Sequence, residues 1–241
     1  MFALSRNGTK LTCKRLESTG SDAMIDLHTH TTLSDGEVLP SELVRRAEIV
    51  GYKAIALTDH VDSGTMETVL TQIVKLARDL NSVKRETSIK ILPGVEITHV
   101  PPPLIPELAK EARRLGAKIV VVHGESPVEP VQPGTNLAGL QSDIDILAHP
   151  GLIQDEEVKL AAERGICLEI SARKGHCLTN GHVVVLARKY QAKMVIDTDA
   201  HIPAELLSED RRRKVGLGAG LTEEEFRVVI QNSLDLVNKR F

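Results

Sequence analysis

Histidines and carboxylates recur along this sequence at the points where short apolar runs end. His28-Thr29-His30 directly follows the run Met24–Leu27, and Asp35 comes shortly after it in a Ser-Asp-Gly turn. Later runs end in the same way, at Asp59-His60, Glu96, His123, His149 and Asp199-Ala200-His201. Six of the nine histidines occupy such positions. Six histidines placed in this way are hard to explain as separate structural residues, so the pattern indicates a shared site.

The side chains at these positions offer nitrogen and oxygen donors and no thiolate. Imidazole and carboxylate ligands are suited to binding Zn, Mn or Fe and are not typical of a structural zinc site. Oxygen-rich mixtures of this kind commonly hold more than one ion. His28 and His30 are two positions apart on an extended segment, so both rings point the same way and can share an ion. Asp199 and His201 repeat this spacing near the other end of the chain.

The apolar runs themselves predict the scaffold. Seven of them alternate with helical patterns: 24–27, 53–57, 89–97, 118–122, 144–148, 166–170 and 193–196. Predicted helices cover 40–50, 65–80, 104–115, 136–142, 154–164 and 180–190, and a last one begins at Thr222 with a capping box to Glu225. Continuous apolar strands, each followed by a helix or a long loop, indicate a parallel sheet buried on both faces. In a parallel barrel the strand ends converge on one face, where the site would lie.

Two segments are distinguished along the chain. Residues 1–23 read as a short N-terminal extension, with a β-hairpin around Asn7-Gly8 as the preferred interpretation and a flexible arm as the alternative. Residues 24–241 read as one α/β domain without an interdomain linker. The run Arg211–Lys214 is expected to be a solvated helix face, and Cys167, inside an apolar run, a small buried hydrophobe.

Composition narrows the functional classes. Of the 241 residues 41% are hydrophobic, and no stretch approaches the length of a membrane span. The net charge of −3 gives no general attraction for nucleic acid or for an anionic membrane. The three cysteines form no CxxC pair, which argues against a disulfide framework. We therefore expect a cytoplasmic protein that binds neither a membrane nor nucleic acid; its oligomeric state is open, and a homo-oligomer is compatible with the sequence.

Taken in order, these motifs resemble those of the polymerase-and-histidinol-phosphatase (PHP) domain family. The motifs are Ile25-Asp26-Leu27-His28-Thr29-His30, Thr58-Asp59-His60, Gly94-Val95-Glu96, Ala148-His149-Pro150 and Asp199-Ala200-His201. The resemblance covers about residues 24–202. It implies a distorted (β/α)7 barrel similar to the TIM barrel, with three divalent metal ions that serve the hydrolysis of phosphoesters.

The resemblance also implies a ligand for each ion. His28, His30, Glu96 and Asp199 would hold the first ion, and Glu96 would bridge to a second ion held by His123 and His149. Asp35, His60 and His201 would hold the third. All nine positions carry a usable ligand in this sequence.

Further side chains are candidates for contact with substrate. Arg173, after the sixth strand, could clamp a phosphate, because a guanidinium group matches phosphate oxygens in pairs; a solvated arginine is the alternative. Lys174, His176 and His99 are weaker candidates for the rim of the same site. Asp59 could orient His60 or protonate a leaving group, and an orienting or structural role is the preferred interpretation.

The sequence thus predicts a metal-dependent phosphatase acting on a small phosphorylated substrate, similar to histidinol phosphate or derived from a nucleotide. A nuclease or phosphodiesterase is the second interpretation, although the chain lacks an aromatic and basic groove of the kind that single strands need. A non-catalytic subunit of a nucleoprotein is the third. That role would predict lost ligands and a basic surface, neither of which is found in the sequence.

Overall fold

A computed structural model describes residues 23–83 and 89–241. The strands are β1 (Ile25–Asp26), β2 (Ala54–Leu57), β3 (His60–Val61), β4 (Lys90–Ile97), β5 (Ile119–His123), β6 (Ile146–Ala148), β7 (Cys167–Ser171) and β8 (Met194–Asp197). The helices are α1 (Pro40–Val50), α2 (Met66–Ser82), α3 (Ile105–Leu115), α4 (Thr135–Leu140), α5 (Asp155–Arg164), α6 (Asn180–Tyr190), α7 (Glu209–Gly218) and α8 (Glu223–Arg240). Short 3-10 turns lie at Pro102–Leu104, His176–Thr179 and Pro203–Glu205.

The strands form a parallel sheet that curls into a nearly closed barrel. Their order is β1-β2-β4-β5-β6-β7-β8, and every pair is parallel. The short β3 pairs with β4 in the same register as β2 does, since Ala54 lies opposite Lys90 and His60 opposite Glu96. β3 is therefore the far end of the second strand, interrupted at Thr58–Asp59. The seven-stranded barrel predicted from the apolar runs is confirmed.

The seam between β8 and β1 is closed by a short bridge and by side chains. Thr29 and Ala200 form an isolated parallel bridge. The amide of Asp199 donates to the carbonyl of His28 at 3.0 Å, and the amide of Leu27 donates to the Asp197 carboxylate at 2.7 Å. Helix α8 contacts both β8 and β1 and so covers this seam. The candidate ligands that follow β1 and those that follow β8 are thereby held next to each other.

The alternating side chains of the strands divide the core into two layers. One layer fills the barrel with small and branched residues, including Ala56, Leu92 and Val121, and the other packs the sheet against the helices. Because neighbouring side chains on a strand point to opposite faces, Val121 and His123 lie on the same, inward side of β5. The aliphatic filling therefore ends in polar side chains at the carboxyl ends of the strands.

Two features of the last third of the chain differ from the expectation. The bounds of helix α7 were not predicted from the sequence, because its segment is strongly charged and has no apolar period; only a solvated helix face at Arg211–Lys214 was expected. The expectation of a fully solvated charge run is wrong for Arg212, which is 2% exposed and donates to the carbonyl oxygens of Ala23 and Ile25. The capping box from Thr222 to Glu225 at the start of α8 is confirmed.

Other expectations lie outside the structure or are only partly addressed by it. The proposed N-terminal hairpin around Asn7-Gly8 lies outside the described residues. Among the helices of the described ranges, none combines the length and the apolar character that crossing a bilayer requires. Cys167 is buried, as expected for a small core residue, and burial raises its pKa to about 12.

Candidate metal centre

Glu96, near the carboxyl end of β4, lies at the centre of the histidine cluster. Its side chain is fully buried, and a carboxylate oxygen approaches a ring nitrogen of five histidines. The distances are 3.3 Å to His28 Nε2, 3.7 Å to His30 Nε2, 2.6 Å to His60 Nδ1, 3.2 Å to His123 Nδ1 and 3.5 Å to His149 Nε2. One carboxylate at the end of a central strand therefore connects histidines from four segments of the chain.

Asp199 joins the same cluster from the opposite side of the barrel. Its Oδ1 lies 3.8 Å from His28 Nε2 and 3.1 Å from His30 Nε2, and its Oδ2 lies 3.7 Å from His149 Nε2. Asp199 and His149 have φ angles of 51° and 27°. Residues other than glycine seldom adopt such angles, and strain of this kind concentrates at functional sites.

The remaining predicted ligands form a group nearer the solvent. Asp35 Oδ1 lies 3.5 Å from His60 Nε2 and 3.1 Å from His201 Nε2. The ring of His30 stacks against those of both His60 and His201, with centroid distances of 4.1 and 4.2 Å. Gly36 allows the Asp35 turn to fold this closely, because a Cβ atom there would stand 2.6 Å from the carbonyl oxygen of His30.

The structure thus brings all nine predicted ligands together at one end of the barrel. Ligand atoms of His28, His149 and Asp199 lie within 4.8 Å of one another, and so do those of His28, His30 and Glu96. Two further groups made only of predicted ligands combine His60, Glu96 and His123, and His30, Asp35, His60 and His201.

The donors in this cluster fit a set of metal ions better than they fit one another. In the described parts of the chain, twelve buried side-chain nitrogen and oxygen atoms lack a hydrogen-bond partner, and nine of them belong to this cluster. These nine atoms are Nε2 of His28, both ring nitrogens of His30, His123 and His149, Oε1 of Glu96 and Oδ1 of Asp199. Buried polar atoms left unpaired are costly. Such a concentration of them is explained if cations occupy the space between them.

The electrostatics of the cluster also mark it as a functional site. Burial opposes protonation of His28, but the surrounding carboxylates, led by Glu96, raise its pKa well above the usual value. Burial would raise the pKa of Glu96, but the histidines, led by His28, hold it well below its usual range. Burial and the proximity of His60 lower the pKa of His30 to about 3. Opposite shifts in adjacent groups are typical of sites that bind or transform charged ligands.

The candidate substrate residues divide into those at the cavity and one away from it. A cavity of about 350 Å³ opens above the cluster and is lined by Arg173, His176 and His99, among others, but not by Lys174. Arg173 donates to the carbonyl oxygen of Asp199 at 3.1 Å and approaches Nδ1 of His201 at 2.7 Å. Nδ1 of His176 lies 2.7 Å from Oγ of Ser126.

Asp59 has contacts that suit a positioning role. Its carboxylate accepts hydrogen bonds from the amide of Thr31 at 2.7 Å and from the hydroxyl of Ser34 at 2.9 Å. It therefore braces the turn that leads to Asp35 and makes no hydrogen bond to His60 in this structure. A part in protonating a leaving group stays a hypothesis.

Two glutamates at the site were missed by the sequence reasoning. Glu129, on the loop after β5, places Oε2 at 3.1 Å from His99 Nε2 and 3.2 Å from His123 Nε2. Glu169 lies in β7, where its carboxylate contacts His28 and the backbone of His149. A charged residue within the apolar strand Cys167–Ser171 was the signal that could have revealed Glu169; Glu129 has no comparable signal in its Pro-rich loop.

A nearly closed β/α barrel with clustered imidazoles and carboxylates at the strand ends defines the class of metal-dependent hydrolase-like proteins. The family model for the PHP domain matches residues 26–197. The chain therefore belongs to the PHP domain family, as the order of its motifs predicted.

Proteins of similar sequence carry names that imply different roles. An uncharacterized protein of Methanocaldococcus jannaschii is 47% identical over 201 residues, which cover 83% of this chain and 91% of that protein. Ribonuclease P protein component 3 of Methanosarcina barkeri is 25% identical, covering 86% of this chain and 84% of the relative. The 5'-3' exoribonuclease Rnm of Salmonella typhimurium is 34% identical over 85 residues, 35% of this chain and 26% of the enzyme.

Solved structures show the same fold. A chain of an archaeal ribonuclease P bound to mature tRNA gives a TM-score of 0.66 at 15% identity, covering 89% of this chain and 90% of that chain. Histidinol phosphate phosphatase of Lactococcus lactis, complexed with zinc, L-histidinol and phosphate, gives a TM-score of 0.55 at 17% identity, covering 84% and 95%. At these identities the likeness establishes the fold alone.

Proposed function

We propose that this protein is a metal-dependent phosphatase that hydrolyses small phosphomonoesters, similar to histidinol phosphate or derived from nucleotides. The observation that carries the proposal is the set of nine buried, unpartnered donor atoms beneath the cavity. His28, His30, Glu96, His123, His149, Asp199, Asp35, His60 and His201 would hold up to three divalent ions. Zn, Mn and Fe all suit this donor set.

The chain's own residues suit hydrolysis of a phosphoester. Divalent ions bound here would supply charge neutralisation for the phosphate and activate water for attack on phosphorus. Arg173 presents donors at the cavity wall, where it can bind phosphate oxygens and hold the phosphorus in line. The buried position of Glu96 and Asp199 keeps bulk water away from the ligands, which strengthens electrostatic interactions inside the site. No described serine or cysteine is needed as a nucleophile in this scheme.

The dimensions and charge of the cavity favour a small substrate. Its volume of about 350 Å³ lies near the lower end of the range of about 300–1,000 Å³ that is usual for small-molecule sites. Arg173 is the one arginine or lysine among its described lining residues, whereas Asp35, Asp62 and Glu129 add carboxylates. Extended nucleic acid would call for a longer groove with more cations.

A nuclease is the second candidate, and the similarity to an exoribonuclease over 85 residues favours it. The two candidates are separated by measuring phosphate release from metal-stripped protein restored with Zn²⁺, Mn²⁺ or Fe²⁺. The panel contains phosphomonoesters, bisphosphates and short oligonucleotides. We expect turnover of small monoesters with at least one of the metals. Faster turnover of oligonucleotides would replace the phosphatase proposal with the nuclease, and no turnover of any substrate with any metal would contradict both.

A further inference from the structure

Glu169 is a fully buried carboxylate on the inner face of β7. Val195 and Cys167, its neighbours in the barrel interior, belong to the aliphatic filling. Burying a carboxylate in such surroundings is costly unless hydrogen bonds satisfy it. The two partners that Glu169 uses therefore indicate what the residue contributes.

The first partner is the ring of His28. Glu169 Oε1 lies 3.2 Å from His28 Nδ1. The other ring nitrogen, Nε2, has no hydrogen-bond partner and faces Glu96 Oε1 at 3.3 Å and Asp199 Oδ1 at 3.8 Å. A metal ion binds the neutral imidazole, which carries its proton on one nitrogen, so a carboxylate that accepts from Nδ1 leaves Nε2 free as a ligand atom.

The second partner is the backbone of His149. Its amide donates to Glu169 Oε2 at 3.0 Å, and its φ angle is 27°. A residue with a β-carbon reaches this angle only when its surroundings hold it there. The hydrogen bond that the His149 amide donates to Glu169 is one such constraint, and it fixes the direction from which the ring of His149 enters the cluster.

We propose that Glu169 is a positioning residue that sets the tautomer of His28 and the backbone conformation of His149, and thereby assembles one ion-binding group. His28, His149 and Asp199 form this group, in which ligand atoms lie within 4.8 Å of one another. Glu169 itself does not line the cavity, and each of its oxygens contacts one of these two histidines. The inference rests on the proposed function only in that the cluster binds metal ions.

Substitution of Glu169 by glutamine separates this role from simple filling of space. Glutamine has nearly the same shape but only one acceptor oxygen. If that oxygen faces the amide of His149, the NH2 group faces His28 Nδ1, and the proton of His28 moves to Nε2, the ligand atom. If the amide group is reversed, its NH2 meets the N–H of His149. The first orientation keeps both contacts but gives His28 the wrong tautomer, and the second loses the contact with the amide of His149.

The test compares the affinity of metal-free Glu169→Gln and wild-type protein for Zn²⁺ and Mn²⁺ by titration calorimetry. Loss of a carboxylate that orients a ligand histidine typically lowers metal affinity by about 10- to 100-fold. We expect this decrease in Glu169→Gln, with the unfolding midpoint of its metal-free form close to that of the wild type. Glu225→Gln is the matched control, because Glu225 caps α8 and binds Arg188, away from the cluster; its metal affinity should equal that of the wild type.

A second measurement does not depend on how the variant folds. In zinc-loaded wild-type protein with ¹⁵N-labelled histidine, the resonance of His28, assigned by its loss in His28→Gln, should show a proton on Nδ1. A proton on Nε2, or unchanged affinity in a folded Glu169→Gln, overturns the role of Glu169. Wild-type protein that binds no metal would instead contradict the proposed function, so the two failures are distinguishable.

Discussion

Replacing Glu96 by glutamine tests the metal cluster at its most connected residue. The carboxylate approaches ring nitrogens of five histidines from four segments of the chain, at distances of 2.6 to 3.7 Å. Glutamine keeps nearly the same volume but removes the negative charge and one acceptor oxygen. The variant should therefore leave the barrel in place and lose the attraction for divalent ions that Glu96 supplies to more than one group of ligands.

The size of the effect follows from linkage between binding and folding. A metal present at 100 times its dissociation constant stabilises the native state by about 2.7 kcal/mol for each site. In a domain of this size 1 kcal/mol raises the unfolding midpoint by about 2–4 °C. Each ion bound under these conditions should thus raise the midpoint of the wild type by about 5–11 °C. We expect Glu96→Gln to lose the shift from at least one ion.

Scanning calorimetry is the appropriate assay, because the chain has no tryptophan to report unfolding by fluorescence. Each protein is measured with and without metal, and the metal-induced change in the unfolding midpoint is compared between variant and wild type. Any effect of the substitution on the stability of the metal-free protein then cancels. Turnover should fall at least about 100-fold, since one bound ion commonly contributes several kcal/mol to the transition state. A full metal-induced shift together with wild-type turnover in Glu96→Gln would refute the reasoning.

Three further substitutions test other parts of the account. Arg173→Lys should lower kcat/KM for phosphomonoesters about 10- to 100-fold, because a charge-assisted hydrogen bond is worth about 1.5–3 kcal/mol, while bound metal measured by mass spectrometry stays unchanged. Gly36→Ala should displace the turn that carries Asp35, since the new Cβ atom would lie 2.6 Å from the carbonyl oxygen of His30, and the bound metal should fall by one ion per chain. Arg212→Met leaves two buried carbonyl oxygens unpaired at a cost of about 1–3 kcal/mol, so its calorimetric midpoint should drop by about 2–12 °C with the metal content retained.

Each of these substitutions has a control or a contradicting result. Arg164→Lys removes a guanidinium bound to the carbonyl oxygens of Gln141 and Ser142, outside the cavity, and should not change kcat/KM. Gly218→Ala places a Cβ atom where no atom lies within 4 Å and should keep its metal. Three results would contradict the assigned contacts. They are equal kcat/KM in Arg173→Lys and Arg164→Lys, equal metal content in Gly36→Ala and Gly218→Ala, and an unchanged unfolding midpoint in Arg212→Met.

The barrel could be predicted from sequence because its strands are buried on both faces. Such strands appear as continuous runs of aliphatic residues, for example Ile119–Val122, and each run ends where a polar side chain meets the open end of the barrel. The same regularity revealed the candidate ligands. His123, for example, is the next inward-facing residue of β5 after Val121. Local pattern and global topology agree at these positions.

The parts that escaped prediction depend on contacts between distant segments. Arg212 appears in a charged run, and its burial follows only from the carbonyl oxygens of Ala23 and Ile25 at the barrel seam. Glu129 reaches the histidines from a loop whose path the sequence does not encode in any periodic pattern. Glu169 is 141 positions from His28 in the sequence. Long-range pairs of this kind require the folded chain.

Anomalous diffraction from crystals of the metal-loaded protein, recorded at the absorption edge of the added ion, tests the central claim most directly. The account predicts up to three peaks among the nine ligands, each about 2.0–2.2 Å from imidazole nitrogens and carboxylate oxygens, as is usual for Zn²⁺. An absence of peaks among these side chains, or peaks confined to other parts of the molecule, would contradict it.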